Sequence, residues 1–505
     1  MYITTPIYYV TDAPHIGHAY TTVIGDALAR FYRLAGQDTW YLTGTDEHGL
    51  KVARAAAEAG LSPQELVDDI SQRYVRVWES LRISNDDFIR TTEERHRIGA
   101  QAFLQALYDN GDVYLAPYEG LYCVSCEDYY KEEDLLEGGL CPIHHRPVEH
   151  FSEDNYFFRL SEYSERLLAH IEANPEFVYP STRRNEVIGF INQGLDDLSI
   201  SRAQLEWGIP IPWDESQVTY VWVEALMNYA TAVGYGYDQA QFDRWWPPTH
   251  LVGKDILRFH AVIWPAMLMA AGLELPGQVA AHGWLLVGGE KMSKTALNQI
   301  APEDLVGTFG VDGFRYHLLR DLSFASDGSF SWEGMVQRYN ADLANDFGNL
   351  VNRILNMVEQ YRDGTVPART GTEPVDVGLK NAAGEAVEAL GGFADLGFND
   401  ALLGVWRLFG AANAYVEETA PWKIAKDPEQ GQRLDEVLNG LLEALRVGAI
   451  LISPVMPEAA AKLWDQLALP GAPDEAPYTE TAVFGTFPEL TVNRGAPLFP
   501  RIEAE

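Results

Sequence analysis

What most restricts this chain lies at its start, where an apolar run from Tyr2 to Val10 leads into Pro14-His15-Ile16-Gly17-His18. The run reads as a buried strand. Beyond it Val23, Leu28, Phe31 and Leu34 recur at helical spacing, so the pentapeptide stands at a strand-to-helix turn. Thr11 or Asp12 suits the helix cap, and Pro14 suits the first turn, where a missing N–H costs nothing. His15 and His18 lie three apart and project from one side of that turn. Two imidazoles beside free backbone N–H groups at a positive helix end form a seat for polyphosphate. Gly17, without a side chain, lets a flat ring such as adenine lie against the backbone.

A second stretch, Glu290-Lys291-Met292-Ser293-Lys294-Thr295, follows the glycine-flanked apolar segment Trp284-Leu285-Leu286-Val287-Gly288-Gly289. Lys291 and Lys294 on such a loop can close over a triphosphate. They would stabilise charge developing on a leaving pyrophosphate, with no covalent step asked of the protein.

Between these stretches, 38–42 reads as a second strand, and Thr43-Gly44-Thr45-Asp46-Glu47-His48-Gly49 follows as a polar loop. In a doubly wound sheet ligands sit at such strand ends, and Asp46 could hold the ammonium of an amino acid. Residues 52–82 read as helix with a break at Leu61-Ser62-Pro63, and 93–107 continues the pattern. Residues 155–207 mix strand and helix without a motif. Strand character returns at 209–213 and 218–222 and again at 249–253, which turns into a helix through Phe259, Ile263 and Leu268.

All three cysteines fall in one segment, as Cys123-Val124-Ser125-Cys126 and Cys141-Pro142-Ile143-His144. Two such knuckles supply four nitrogen and sulfur ligands, which suits a closed, structural zinc site. His145 competes for the fourth place, but the two-residue gap favours His144. An odd cysteine count argues against a disulfide framework. The metal would staple a small insertion that lacks a core of its own.

A length of 505 residues suggests about three domains at ~150 residues each. With 47% hydrophobic and 22% charged residues the composition is that of a soluble globular chain. The apolar stretch 261–272 is too short to span a bilayer and carries Pro265. The first ten residues read as core strand rather than a signal peptide, so a cytoplasmic location is expected. A formal charge of −36 discourages promiscuous nucleic-acid binding, yet one specific RNA needs only a local basic surface. Beyond Trp332 the texture becomes all-helical, with periodic segments at 335–361, 400–418 and 434–451 and glycine/proline loops at 363–374 and 469–477.

Together the histidine and lysine stretches resemble the HIGH and KMSKS signatures of class I aminoacyl-tRNA synthetases, with Thr295 in place of the final serine. Within that class the chain is similar over essentially its full length to the methionyl-tRNA synthetase family. The local knuckle is one reason, and the absence of room for a large editing insertion before Lys291 is another. The resemblance implies a Rossmann-like, doubly wound parallel-sheet catalytic domain with a zinc-stapled insertion, followed by an α-helical anticodon-binding bundle. The expected division is 1–111 and 216–285 for the two catalytic halves and 112–215 for the insertion. The stem-contact region would then be 286–334 and the helical domain with its tail 335–505.

The implied activity is that of a methionine–tRNA ligase. Methionine and ATP would give methionyl-adenylate and pyrophosphate, and the methionyl group would pass to the 3′-terminal adenosine of tRNA(Met). The resemblance assigns catalysis to His15, His18, Lys291 and Lys294, and ATP binding to these with Gly17 and Asp255. It assigns methionine to Ile7, Tyr9, Asp46, Trp222, Ala225, Leu226, Tyr229, Ile256 and His260, a largely apolar pocket that suits a soft thioether. Asn345, Asn349, Arg353 and Trp422 would read the CAU anticodon. The first three fan over roughly 80° of an α-helix, and amides and a guanidinium suit the edges of unpaired bases. Zinc on Cys123, Cys126, Cys141 and His144, and Mg2+ with ATP, are the expected ions. The chain ends soon after the bundle, which predicts a monomer. The rival readings are a ligase of the same class with another amino acid, and a non-enzymatic RNA-binding derivative. The second should have lost one of the two signatures.

Overall fold

A computed structural model describes residues 1–503 except 12, 127, 131, 144, 288–289, 292–299 and 369–370, and gives backbone alone at 118–119, 128–129, 133, 151–152, 287 and 290–291. The described residues form two compact units, each assembled from separated stretches. The first comprises Met1–Pro14, Trp40–Trp78 and Asn85–His282, and the second His15–Thr39, Glu79–Ser84 and Gly283–Glu505.

Chain order runs β1 (Tyr2–Tyr9), α1 (Ile16–Leu34), β2 (Trp40–Asp46), β3 (Asp87–Arg90), α2 (Glu94–Asp109), β4 (Val178–Tyr179), α3 (Val221–Thr231), β5 (Thr249–Gly253) and β6 (Gln278–His282). The six strands make one parallel sheet in the order β3-β2-β1-β5-β6-β4. The order reverses between β1 and β5, which in such sheets marks the ligand crevice at the strands' carboxyl ends. Ile3, Tyr41, Leu42, Leu251, Val252 and Val279 are buried, as expected of strands covered on both faces. The interruption after α2 is an antiparallel pair, Val113–Cys123 against Glu149–Phe158, extended by Asp128–Tyr130.

Three sequence expectations are corrected in this unit. The second strand runs on to Asp46, so residues 43–46, expected as loop, are paired in the sheet. Strand character at 218–222 stops at Thr219, and Val221 already opens α3, so Trp222 stands on a helix. The Val-Trp-Val run has strand composition, but α3 is buried from Val223 through Thr231, and a helix buried on every face belongs to the core. The turn after β5 also passes through short, irregular helical turns before Trp264–Ala270 becomes a regular helix.

The second unit holds α1, the small sheet of Leu285–Val287, Glu290–Lys291 and Gly328–Phe330, and the helical bundle. Its regular helices include α4 (Pro302–Asp321), α5 (Pro374–Leu390), α6 (Phe398–Thr419), α7 (Gly431–Ile452) and α8 (Pro457–Gln466). Helical structure from Trp332 to Arg362 is continuous but widens to a π-type winding over Tyr339–Gly348. From Val437 to Ile452 every residue of α7 is buried, so this helix is the bundle's axis. Helix α5 lies in a stretch for which no helix is expected from the sequence pattern. No described helix is long and apolar enough to cross a membrane.

Candidate functional site

The phosphate-binding candidates sit at the start of α1, though not as the cap signals suggest. Asp12 lies outside the described residues, and Thr11 and Pro14 precede the cap. His15 itself is the N-cap, and its Nδ1 accepts from the Gly17 N–H at 3.1 Å. His18 Nδ1 accepts in return from the His15 N–H at 3.3 Å, and the two rings stack with centroids 3.8 Å apart. This is a capping box built from two imidazoles. With both Nδ1 atoms accepting, each neutral ring carries its hydrogen on Nε2. A Cβ at Gly17 would lie 2.9 Å from His15 Cε1, so glycine is what lets the first ring fold over the turn.

The Ile16 N–H donates to Ile300 O at 3.1 Å, which ties the chain just beyond the lysine loop to the first turn of α1. Before the loop, Lys291 pairs with Leu286 in a hairpin. The Lys291 side chain and all of Lys294 lie outside the described residues.

The amino-acid candidates converge in the first unit. Parallel pairing sets Tyr9 opposite Asp46 at the carboxyl ends of β1 and β2, and Asp46 is buried. The Lys51 ammonium lies 4.8 Å from the centre of the Tyr9 ring. Trp222, Ala225, Leu226 and Tyr229 recur on α3 at helical spacing. The Trp222 indole meets Tyr9 edge-on at 6.0 Å and stacks on Phe259 at 4.0 Å.

Tyr229 Oη and His260 Nε2 are 2.7 Å apart, while His260 Nδ1 lies 3.0 Å from Ile256 O. A carbonyl only accepts, so the His260 proton is on Nδ1, and Nε2 accepts the Tyr229 hydroxyl. Burial pushes His260 down to about 4, which keeps the ring neutral. Burial likewise pushes the Tyr229 phenol up. The wall is thus aromatic and uncharged, with Tyr229 and His260 paired to one another and the buried Trp222 Nε1–H left without a hydrogen-bond partner among the described residues. Ile7 and Ile256 are half-buried against the same core. Asp255 is exposed just beyond β5, and a Cβ on Gly253 would fall 2.6 Å from its Oδ1.

The three cysteines of the expected knuckles come together. Cys123, Cys126 and Cys141 place their sulfurs within 4.8 Å of one another, with Cys126 and Cys141 at 3.3 Å and no disulfide. The Tyr130 hydroxyl and the Ile143 N–H donate to Cys126 and Cys141 sulfurs. The hydrogen bond to Cys123 first, and burial second, push the Cys126 thiol up. Thiols so crowded oppose one another's ionisation, and a bound cation reverses that. The donor set therefore fits a thiolate-loving metal. His144 lies outside the described residues, and His145 is exposed with a left-handed φ of 53°.

In the bundle, Asn345 is exposed on the widened stretch and Asn349 is exposed at the start of the regular helix that follows. The Arg353 guanidinium lies 5.3 Å from the centre of the Trp422 ring and pairs with Glu417 at 2.6 Å. Trp422 reaches this place because Ala420, at φ 47°, ends α6 and turns the chain. Sequence reading missed Lys51 and Phe259, which have no motif of their own. It also missed Glu224 on α3, a buried acid with imidazole partners on two other elements. An acid inside an otherwise apolar helix was the available signal.

A family model described as tRNA synthetases class I (M) matches residues 1–154 and 136–355. A methionine–tRNA ligase of Streptomyces coelicolor is 52% identical, over 99% of this chain and 96% of its own length. One from Bacillus subtilis is 45% identical, over 100% of this chain and 78% of its own. Among solved structures, Mycobacterium tuberculosis methionyl-tRNA synthetase in complex with methionyl-adenylate matches with a TM-score of 0.95 at 44% identity, covering 99% of each chain. Its apo form matches with a TM-score of 0.89 at 40% identity, covering 100% of this chain and 98% of that one.

Proposed function

The chain belongs to the class I tRNA synthetases of the methionine–tRNA ligase family, and from that premise we propose how its residues divide the reaction. The enzyme activates methionine with ATP, giving methionyl-adenylate and pyrophosphate, and then charges tRNA(Met). The observation that carries the substrate assignment is the uncharged wall of Trp222, Tyr229 and neutral His260 facing the Asp46 end of the sheet. A carboxylate for the ammonium beside aromatic, polarizable contacts for a thioether is what methionine requires. Selection by shape alone is weak against near-isosteres, so norleucine and homocysteine should enter as well.

Asp46 holds the α-ammonium, leaving the substrate carboxylate free to attack the α-phosphate of ATP in line. Ile7, Tyr9, Ala225, Leu226 and Ile256 complete the pocket, and Asp255 holds the ribose. His15 and His18 donate to the oxygens of the pentavalent phosphorus, and Gly17 leaves room for the base. Lys291 and Lys294 neutralise the departing pyrophosphate. Mg2+ enters as part of the nucleotide substrate. No protein nucleophile is needed. The adenylate then passes its methionyl group to a hydroxyl of the terminal adenosine, releasing AMP.

Cys123, Cys126, Cys141 and His144 would hold zinc, which when bound closes the knuckles of the insertion at 112–215 and supplies no step of the reaction. The catalytic halves are 1–111 and 216–285, and 286–334 meets the tRNA stem. Within 335–505, Asn345 and Asn349 offer amides to the CAU bases, with Trp422 and Arg353 as a stacking pair. All these residues come from one chain, so a cytoplasmic monomer suffices, and a mass in solution near twice the chain's would contradict that.

The test is ATP–pyrophosphate exchange with each of the twenty amino acids and no tRNA. Exchange with methionine alone is expected. Exchange with a different amino acid would overturn the pocket assignment, and none at all would favour an RNA-binding role.

A further inference from the structure

The carboxylate of Glu224 lies on α3 but away from the pocket wall, fully buried. Its two oxygens accept from separate imidazoles: Oε1 from His48 Nδ1 at 2.9 Å and Oε2 from His96 Nε2 at 2.8 Å. His48 belongs to the loop that leaves β2 two residues after Asp46, and His96 belongs to α2. One side chain therefore ties together three elements that are distant in the chain.

The tie is closed at both ends. His96 Nδ1 lies 2.8 Å from Thr231 Oγ1 at the end of α3, and the Thr231 hydroxyl donates its only hydrogen to Asn228 O. His96 is thus held at both ring nitrogens, between the Glu224 carboxylate and the Thr231 hydroxyl. The two helices approach closely enough for this because Gly99 faces α3. A Cβ there would fall 2.5 Å from Thr231 Cγ2. On the other side the Trp207 ring packs against His48, and its Nε1–H donates to Glu47 O at 2.7 Å, holding the loop in place. Burial would push the Glu224 carboxyl up, but the two imidazoles outweigh it and hold it below the usual range.

The consequence falls on the amino-acid site. Asp46 sits at one end of this bridge, and Trp222, Ala225 and Tyr229 ride on the helix at the other. We propose that Glu224 is a positioning residue for methionine: clamped by His48 and His96, it fixes the α3 wall relative to the Asp46 end of β2 and so sets affinity and side-chain selectivity. This rests on methionine binding between Asp46 and Trp222, as proposed above. Glu224 touches no substrate atom in this scheme, and the nucleotide residues lie on other elements. Its loss should therefore fall on methionine and spare ATP.

The experiment is ATP–pyrophosphate exchange by the full chain, titrating methionine, norleucine and ATP separately. Glu224→Gln keeps the shape but removes the charge. It is expected to raise KM for methionine roughly tenfold, to narrow the preference for methionine over norleucine, and to leave KM for ATP within about twofold. His48→Leu should do the same. His48→Asn places an amide N–H where Nδ1–H stood, and should return KM for methionine to within about threefold of native. If Glu224→Gln does not fold, the His48 pair decides alone. An unchanged KM for methionine in His48→Leu would overturn the proposal, as would KM values for methionine and ATP rising in step, the mark of a purely structural role. If the native chain shows no exchange with methionine, the substrate reading has failed and this inference with it. Native exchange with indifferent variants defeats the inference alone.

Discussion

Gly17 shows how one residue can decide a site without touching stability. By intrinsic propensity an alanine there should favour helix α1 by up to about 1 kcal/mol. Its methyl would nevertheless press on the His15 ring at 2.9 Å and drive it out of the cap. Gly17→Ala is expected to keep or slightly raise the melting temperature while lowering the exchange rate at least about tenfold. Normal exchange by that variant would remove the folded-back ring from the mechanism. The two histidines were legible in the sequence because polar rings in an apolar strand-to-helix turn have few structural reasons to be there. That His15 is itself the cap was not legible, since short oxygen-bearing side chains usually take that place. Glu224 was less legible still. Whether an acid on an apolar helix faces water or an imidazole depends on partners 128 and 176 residues away.

At the scale of elements, local chemistry was easiest to foresee and helix ends were hardest. The cysteine knuckle declares itself by spacing, because its ligands are set by a few bonds of chain. Cys141→Ser should bring bound metal from one per chain to near zero by elemental analysis, and a chelator should lower the melting temperature of the native chain. A native chain without stoichiometric metal would refute the site. The start of helix α3 carries strand composition because valine and tryptophan suit both, and only its burial from Val223 through Thr231 decides. Helix α5 escaped because its alanines and glycines give no clear apolar stripe. The pairing of Arg353 with Trp422 depends on the left-handed turn at Ala420, which an alanine does not announce. Trp422→Ala should lower kcat/KM for tRNA charging by roughly tenfold or more while leaving tRNA-independent exchange intact. Equal loss in both assays would mean the bundle is merely destabilised.

For the whole molecule, the linear order of elements concealed how the chain is partitioned. Helix α1 and residues 79–84 cluster with the C-terminal half, held by the buried guanidinium of Arg315. It pairs with Asp26 at 2.6 Å and donates to the carbonyls of Leu81, Pro454 and Val455. No local pattern foretells a contact across such separations. Two carboxyls in this unit have opposite pH consequences. Burial would raise Asp26, but Arg315, Arg30 and Ser84 hold it at about 2, below its ordinary 3.8. Its contribution is complete above pH 4 and is lost as pH falls toward 2. Asp312 accepts the backbone N–H groups of Glu458 and Ala459 at the start of α8, yet burial pushes it up to about 6. Folding favours its protonated form, so stability is lost as pH rises from 4 through 6, by about 2–3 kcal/mol at full ionisation. The excess of 36 negative charges acts in the same direction near neutrality. Salt separates the two, because it screens surface repulsion but hardly reaches a buried acid. The native chain should melt higher at pH 5 than at pH 7.5, and part of that gap should survive 0.5 M salt, on the order of the Debye screening limit. In Asp312→Asn, which keeps an acceptor for α8 but cannot ionise, the surviving gap should close through a rise of roughly 2–5 °C at pH 7.5. If the variant keeps the full gap in high salt, Asp312 is not its source and the pH dependence belongs to other buried groups.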